Sequence, residues 1–561
     1  MRCAATIIHC GLAVVCATLV VSTGAVPAST ASAVTTERTA VIIQIAPGHS
    51  STELLPLLER MGGTPGRTLD IINAQAAELP AAAIAALTDH PLVNRISIDH
   101  EVAGTMERTS AAIGATAIRD TLGYDGTGVG VALIDSGVTP WHDDLASGDG
   151  GQRVARFVDF VDNRQTPYDD YGHGTHVAGI IAGSGFDSGG ARMGIAPGVR
   201  LTVLKVLDDQ GNGRISDVIA AFDYILRNSA ALNIRVVNVS VATGVYESYT
   251  TDPLTLAAKG LVDAGIVVVT AAGNLGRTAA GQDAYGGITA PGNAPWVLTV
   301  GASNHMGSPT RDDDQMAAFS SRGPTAEDNG AKPDLVAPGV GIESLTSQDS
   351  TFYRVLSPYL LSGTVPLGYQ PYLSLTGTSM AAPVVTGTIA LMLQANPLLT
   401  PNAVKAILQY TAEEYPNYDP LTQGAGFLNA AGAVSVSRFF VDPSSTPPTG
   451  DSWSRHVLWG NQLIHGALLG SNAVWRRDVT WGDEGNEVNG GGVRNVVWGM
   501  RCGGSNCRER WTIAAAHDES VVWGTTIDES VVWGTFERDD SVVWGTSCGS
   551  SMCAPVISLR R

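Results

Sequence analysis

Basic residues are scarce in this chain of 561 residues. Lysine and arginine number 34 against 53 aspartates and glutamates, which gives a formal net charge of −19 at pH 7. A protein that binds nucleic acid needs a basic face against the phosphates, so this composition argues against that class of function. Charged residues are only 16% of the chain and hydrophobic residues 44%, which is typical of globular domains with a buried core.

Long apolar runs are also rare. Residues 12–21 form a short one behind Arg2, and Ala31-Ser-Ala33 follows as a small-residue cleavage site. Residues 1–33 therefore have the features of an export signal peptide. A retained membrane anchor is the alternative, but the run is short of the roughly 20 residues that span a bilayer. We expect a secreted protein with no membrane span after the signal is removed.

Cysteine is scarce too, with seven in the chain. Three of them, Cys3, Cys10 and Cys16, fall in the predicted signal peptide and would be removed with it. The other four lie near the C-terminus: Cys502, Cys507, Cys548 and Cys553. An even set in an exported protein favours disulfide bonds, although two Cys-x4-Cys pairs also fit a structural zinc site. The spacing leaves the connectivity open.

Against these absences stand three short motifs that supply an acid, an imidazole and a hydroxyl. The run Val-Ala-Leu-Ile-Asp135 predicts a buried parallel strand that carries Asp135 at its carboxyl end. Gly-His173-Gly-Thr-His176 opens one helix of small residues, and Thr-Gly-Thr-Ser379-Met-Ala-Ala-Pro opens another. Taken singly, the acid fits a turn, His173 a structural histidine and Ser379 a helix cap.

A fourth motif follows another apolar strand. Ala-Ala-Gly-Asn274 comes directly after residues 266–269, where the asparagine amide could donate to a developing oxyanion. With these four motifs in the order Asp, His, Asn, Ser, the chain resembles the subtilisin-like serine peptidases, or subtilases, over about residues 105–435.

The resemblance implies a serine endopeptidase that acts on polypeptides. In that family Ser379 would be the nucleophile, His173 its general base and Asp135 the group that orients the imidazole. The Ser379 backbone N–H would join Asn274 in the oxyanion hole, and the chemistry would need no cofactor. One base suffices, so His176 is assigned to structure.

Two further segments match the walls of the family's first substrate pocket. They are small and apolar, which predicts broad specificity with an apolar residue before the cut. Their residues are Ser240, Val241, Ala242, Ala271, Ala272 and Gly273. The alternative is that these segments are merely strand ends.

The resemblance also implies a structural calcium ion. Asp144 matches an acidic calcium ligand, but residues 184–192 lack the asparagine that the family's loop supplies. Calcium takes six to eight oxygen ligands, and backbone carbonyls could provide several of them.

Strands and helices alternate from Gly128 onward. Apolar runs of strand length are separated by helical spacing at residues 216–229 and 253–264. This alternation predicts an α/β fold with a mostly parallel sheet covered by helices on both faces. Active sites in such sheets gather at the carboxyl ends of the strands, where Asp135 and Asn274 would lie.

Five regions are predicted along the chain. They are a signal peptide (1–33), an inhibitory propeptide (34–105), the subtilisin-like catalytic domain (106–437), a linker (438–452) and a C-terminal region (453–561). Residues 38–98 predict the order β-α-β-β-α-β of a small ferredoxin-like α+β domain. The resemblance implies that this domain is the chain's own intramolecular inhibitor and that it is removed by cleavage at a bond within residues 103–110.

The C-terminal region repeats the dipeptide Trp-Gly. Its tryptophans precede glycine at Trp459, Trp481, Trp498, Trp523, Trp533 and Trp544. Short strands packed through these rings are predicted, with a surface-binding module as the alternative.

Two questions stay open at this point. Residues 347–371 form an insertion near the predicted serine that fits a lid, a specificity loop or a plain surface excursion. The rival to an enzyme is a catalytically idle protein that uses this scaffold for surface binding.

Overall fold

The computed structural model describes residues 38–69, 73–98, 105–147, 151–278, 280–442, 446–465, 479–482, 493–495 and 542–543. The predicted signal peptide, all seven cysteines and the Trp-Gly repeats from Trp498 onward lie outside the described residues, apart from the two valines 542–543. The chain divides into two compact units, Met1–Val102 and Ala103–Arg561.

The described residues of the first unit form a four-stranded antiparallel sheet with two helices. Its elements are β1 (Arg38–Ile45), α1 (Ser51–Arg60), β2 (Thr64–Leu69), β3 (Ala74–Pro80), α2 (Ala81–Leu87) and β4 (Val93–Ile98). The sheet order is β2-β3-β1-β4. Ile43, Leu58 and Leu79 belong to a small apolar core of its own. The element order matches the predicted β-α-β-β-α-β, and the role of this unit as a propeptide stays a prediction.

The second unit is built on an eight-stranded sheet. Its strands are β5 (Gly130–Asp135), β6 (Val154–Asp159), β7 (Arg200–Lys205), β8 (Ile234–Val239), β9 (Val267–Ala271), β10 (Leu298–Asn304), β11 (Gln315–Met316) and β12 (Leu335–Pro338). The order is β11-β10-β9-β8-β5-β7-β6, and β12 also pairs with β10. Every pairing is parallel except that of β10 with β11. The prediction of a mostly parallel sheet is confirmed.

Ten α-helices lie in the described part of this unit. They are α3 (Thr105–Ala112), α4 (Ala115–Leu122), α5 (His173–Ala182), α6 (Ile215–Asn228), α7 (Pro253–Asp263), α8 (Thr351–Val355), α9 (Thr378–Ala395), α10 (Pro401–Thr411), α11 (Pro420–Gln423) and α12 (Ala430–Phe439). Short strands complete the described part: β13 (Ile342–Leu345), β14 (Leu360–Leu361), β15 (Tyr372–Thr376), β16 (His456–Trp459), β17 (Gln462–His465), β18 (Val493–Asn495) and β19 (Val542–Val543).

Helices cover both faces of the large sheet, as predicted. Successive residues of β5 face opposite sides: Val131 and Leu133 join the larger core, whereas Ala132 and Ile134 join the other. The larger core includes α5 and α9, and the other includes α6 and α7. Because both faces are buried, the strand reads as an unbroken apolar run.

Helix α9 is the central helix of the larger core. By length and composition it could cross a membrane, but 89% of it is buried inside the protein, as in the core helix of a soluble domain. It packs against α5 and against strands β8, β9 and β10. Its apolar character is explained by this packing.

The first part of the predicted C-terminal region packs on the predicted catalytic domain. The backbone N–H of Ser454 donates to the carbonyl of Ala412 at 2.7 Å, just beyond α10. Trp459 and Trp481 are 2% exposed and belong to the larger core, with ring centroids 4.8 Å apart. These two tryptophans are therefore buried core residues; the wider repeat region stays a prediction.

Candidate active site

Asp135 and His173 form a buried pair at the carboxyl end of β5. The Nδ1 atom of His173 lies 2.7 Å from Oδ1 of Asp135, and both side chains are fully buried. The Ser136 backbone N–H donates to the same carboxylate oxygen at 2.7 Å. A carboxylate only accepts, so Nδ1 carries the imidazole proton and Nε2 is the basic nitrogen.

The loop before His173 is shaped around a second buried acid, Asp169. Its carboxylate accepts the Gly172 backbone N–H at 2.7 Å and both the N–H and the hydroxyl of Thr175, at 2.8 and 2.6 Å. Ser136 donates its hydroxyl to the same group at 2.8 Å. Gly172 takes a φ of +107°, a conformation that a side chain would strain. Asp169 thus fixes the start of helix α5 and thereby the position of His173, its first residue.

Ser379 is the second residue of α9 and is 5% exposed. Gly377, not Ser379, occupies the N-cap position, so the helix-cap interpretation of this serine does not apply. The Ser379 hydroxyl lies 3.4 Å from the carbonyl oxygen of Ser240, at the long limit of a hydrogen bond. Ser240 in turn donates its hydroxyl to the Ser379 carbonyl at 3.1 Å.

Asn274 is held against the start of the same helix. Its Oδ1 atom accepts the backbone N–H of Thr378 at 3.0 Å and the Thr378 hydroxyl at 2.9 Å. The Thr378 hydroxyl also accepts the Gly273 N–H at 3.2 Å. With the oxygen fixed by the residue beside Ser379, the amide nitrogen is the donor end of this side chain.

The four motifs therefore converge on neighbouring elements, with an acid–imidazole pair at α5 and a serine and an amide at the start of α9. A sequence model described as the Subtilase family matches residues 126–433, which include all four. The chain belongs to the subtilase family. The subtilase resemblance drawn from the motifs is confirmed.

Similar proteins agree with this membership. Serine protease AprX of Bacillus subtilis is 36% identical over 370 residues, 65% of this chain and 79% of that protein. Subtilisin E of the same species is 32% identical over 391 residues, 69% of this chain and 87% of that protein. An extracellular serine proteinase of a Thermus species is 32% identical over 350 residues, 61% and 71% of the two chains. This subtilase is a serine-type endopeptidase.

The predicted pocket segments of the subtilase follow two adjacent parallel strands. Ser240, Val241 and Ala242 come directly after β8, while Ala271 ends β9 and Ala272 and Gly273 follow it. Ser240, Ala271 and Ala272 are buried, whereas Val241 and Ala242 are partly exposed. The two segments therefore share one edge of the sheet with Ser379, which Ser240 contacts directly.

His176 lies one turn after His173 and is fully buried. Its Nε2 atom lies 3.1 Å from the carbonyl oxygen of Ile342 and 3.0 Å from that of Leu373. Burial lowers its pKa to about 3, so the ring is neutral. These contacts are those of a structural residue that joins α5 to β13 and β15.

Asp144 belongs to a buried acidic cluster. Its carboxylate accepts the backbone N–H of Asp187 at 2.7 Å and the hydroxyl of Tyr372 at 2.8 Å. Neither carboxylate oxygen of Asp187 has a hydrogen-bond partner among the described residues, and burial beside Asp144 and Asp143 raises the pKa of Asp187 to about 7. Ligand atoms of His142, Asp144 and Asp187 lie within 4.8 Å of one another.

The cluster suits calcium in part. Two adjacent carboxylates offer the oxygen ligands that calcium prefers. The histidine does not: its Nδ1 accepts the Asp144 N–H at 3.1 Å and its Nε2 lies 3.1 Å from the carbonyl oxygen of Pro371. Burial also lowers the pKa of His142, which is consistent with a neutral ring.

Sequence reasoning missed three residues around the Asp135–His173 pair. Asp169 organises the loop before His173, and its signal was an acid three residues before a glycine, a common turn pattern. Lys205 is fully buried and donates to Asp170 at 2.6 Å and to the carbonyl of Ser136 at 2.7 Å. Phe352, in the insertion, lies with its ring centroid 6.4 Å from that of His173. No sequence pattern marked the last two.

Proposed function

We propose that this subtilase cleaves polypeptides through an acyl-enzyme formed on Ser379, with His173 as general base and Asp135 as the group that orients it. The observation that carries the proposal is the buried 2.7 Å contact between His173 Nδ1 and Asp135 Oδ1. It leaves Nε2 as the basic nitrogen, which is the protonation state that proton transfer from a serine requires.

In the first step the Ser379 oxygen attacks the substrate carbonyl carbon while His173 Nε2 takes the hydroxyl proton. The imidazolium then gives that proton to the leaving amine, and the peptide bond breaks. A water molecule repeats the sequence on the acyl-enzyme and releases the acid product. Asp135 stabilises the imidazolium in both halves.

Charge on the tetrahedral oxygen would be met by two donors, the Asn274 amide nitrogen and the backbone N–H of Ser379. Both are positioned by the surrounding structure, since Thr378 donates to Oδ1 of Asn274 and Ser379 lies in the first turn of α9. Donors fixed in advance need no reorganisation during the reaction, which is the source of their effect.

Specificity for an apolar residue before the cut is part of the proposal. It is supported by the small, uncharged side chains of residues 240–242 and 271–273 beside Ser379. A peptide library would give cleavage after large apolar residues; a profile dominated by arginine or lysine would reject this part.

Secretion and self-processing complete the proposal. Export is supported by the signal-like residues 1–33, and an inhibitory role for the first unit by its place before the catalytic unit and its β-α-β-β-α-β order.

The test is to express the chain and its Ser379→Ala variant and follow both on a gel and with a peptide substrate. We expect the unsubstituted chain to lose the N-terminal unit and to hydrolyse peptide, and Ser379→Ala to do neither. Equal processing of both forms, or none in either with no hydrolysis, would favour the idle scaffold protein instead.

A further inference from the structure

The insertion at residues 347–371 is tied to the loop that leads into His173. The Ser347 hydroxyl donates to the carbonyl oxygen of Asp169 at 2.9 Å. The Thr351 backbone N–H donates to the carbonyl of Asp170 at 2.8 Å. The insertion and the loop therefore lie side by side directly before the proposed general base.

The contact continues through the next two residues of that loop. The Phe352 backbone N–H donates to the Tyr171 carbonyl at 3.0 Å, and the two rings pack with centroids 4.6 Å apart. A Cβ atom on Gly172 would meet the Ser350 hydroxyl at 2.6 Å and the Phe352 Cβ at 3.0 Å. The insertion is thus packed on the backbone of Gly172 with no room for a side chain.

The Phe352 ring completes this series at His173 itself. It is 2% exposed and stands nearly perpendicular to the imidazole, at an interplanar angle of 85° with centroids 6.4 Å apart. Edge-to-face contacts at this separation are attractive. The Thr351 hydroxyl donates to the carbonyl of Asp209 at 2.9 Å and so ties the short helix α8, which carries Phe352, to a further loop.

Asp135 contacts the imidazole at Nδ1, and the edge-to-face contact with Phe352 acts on another part of the ring. The terminal torsion of histidine is broad, so contacts at separate points of the ring narrow its orientation. Small misplacements of a catalytic group cost rate steeply, so a second contact on the ring has a direct kinetic use.

We propose that residues 347–352 form a clamp on residues 169–173 and that Phe352 is a positioning residue for the general base His173. Residues 347–352 of the insertion are then neither a lid nor a plain surface excursion. They complete the support of the imidazole, on which Asp135 acts at one atom and Phe352 acts on the ring. This inference rests on the proposed catalytic role of His173.

The test compares Phe352→Leu, which removes the ring, with Phe352→Tyr, which keeps it. Phe222→Leu is the matched control, since Phe222 is an equally buried phenylalanine in the other core, beside α7 and away from His173. We measure kcat and KM on a chromogenic peptide, together with the thermal unfolding midpoint of each variant.

We expect Phe352→Leu to lower kcat about tenfold with KM changed less than twofold, and Phe352→Tyr to recover most of the loss. Phe222→Leu should lose comparable stability and keep kcat. The proposal is overturned if Phe352→Leu loses no more kcat than Phe222→Leu, or if its loss is confined to KM.

Two further measurements keep the result decisive. Should Phe352→Leu fail to fold, Phe352→Met takes its place under the same criteria. Ser379→Ala is assayed in parallel: an active Ser379→Ala enzyme refutes the proposed function, whereas an inactive one beside a fully active Phe352→Leu refutes only the clamp.

Discussion

Asn274 is the side chain whose proposed role depends most on the orientation of one amide. Thr378 holds its oxygen, so the nitrogen is directed as a donor. We expect Asn274→Ala to lower kcat roughly 100- to 1,000-fold, about 2.7–4 kcal/mol, because the developing oxyanion loses a prearranged donor.

Peptide hydrolysis by Asn274→Ala checks this, with Asn228→Ala as the control because Asn228 is a half-buried residue of α6 whose side-chain amide donates to the Tyr224 carbonyl at 2.8 Å. A loss of less than about fivefold in kcat for Asn274→Ala would place the oxyanion elsewhere.

His176 gives a pH dependence of stability whose sign follows from its burial. Its pKa is lowered to about 3 in the fold, whereas an unfolded histidine takes up a proton near 6.5. The unfolded chain therefore binds more protons below about pH 6.5, so this contribution is complete above that pH and is lost as the pH falls toward 3. From the two values, the loss between pH 8 and pH 5 is about 2 kcal/mol.

Denaturant unfolding of the Ser379→Ala form at both pH values, with and without His176→Gln, measures that difference. The substitution should reduce the pH-dependent loss by about 2 kcal/mol, whatever its effect on absolute stability. An unchanged pH dependence would mean that His176 is already charged or that it is accessible in the fold.

At the scale of elements, strand β16 contributes to the buried core although the composition of the preceding segment does not suggest it. It follows a stretch rich in proline and serine, yet Val457, Leu458 and Trp459 are at most 2% exposed. We expect Trp459→Ala to cost about 3–5 kcal/mol of unfolding free energy, since it removes a large buried ring. Trp141→Ala is the control, because Trp141 is 56% exposed, and should cost far less.

Thermal and denaturant unfolding of Trp459→Ala and Trp141→Ala, both in the Ser379→Ala background, measures the two losses of stability. Equal stability of both variants would contradict the packing of the C-terminal segment on the catalytic unit.

The strands that carry the site were predictable because burial on both faces leaves apolar runs. Val-Ala-Leu-Ile-Asp135 is an example, and β5 ends at the predicted acid. The ends of the strands were less predictable: the apolar strand predicted at residues 266–269 is β9, Val267–Ala271, because strand pairing rather than hydrophobicity decides where a strand ends. The contact between Phe352 and His173 was not predictable, since it joins residues 179 positions apart (352 − 173) in the chain.

At the scale of the whole molecule, distant loops meet in the cluster of His142, Asp144 and Asp187. Two buried carboxylates, those of Asp144 and Asp187, lie together in this cluster. Among the described residues, no group donates a hydrogen bond to the Asp187 carboxylate. We propose that a calcium ion compensates this charge. The unfolding midpoint of the Ser379→Ala form should then fall in a chelator and recover with added calcium, because a ligand of the folded state stabilises it.

Asp187→Asn should abolish the response to calcium, while Asp223→Asn, which alters an exposed carboxylate on α6, should retain it. A midpoint that is the same with chelator and with calcium would show that the cluster holds no cation and that Asp187 is protonated instead.

The central claim drawn from the fold, the family and the site is that His173 activates Ser379 as a nucleophile. Reaction with a fluorophosphonate followed by peptide mass spectrometry tests it most directly, because the reagent modifies an activated serine. The account predicts a single adduct on Ser379 that is lost in Ser379→Ala and forms at least 100-fold more slowly in His173→Ala. An adduct on another serine, or labelling of Ser379 at the same rate without His173, would contradict it.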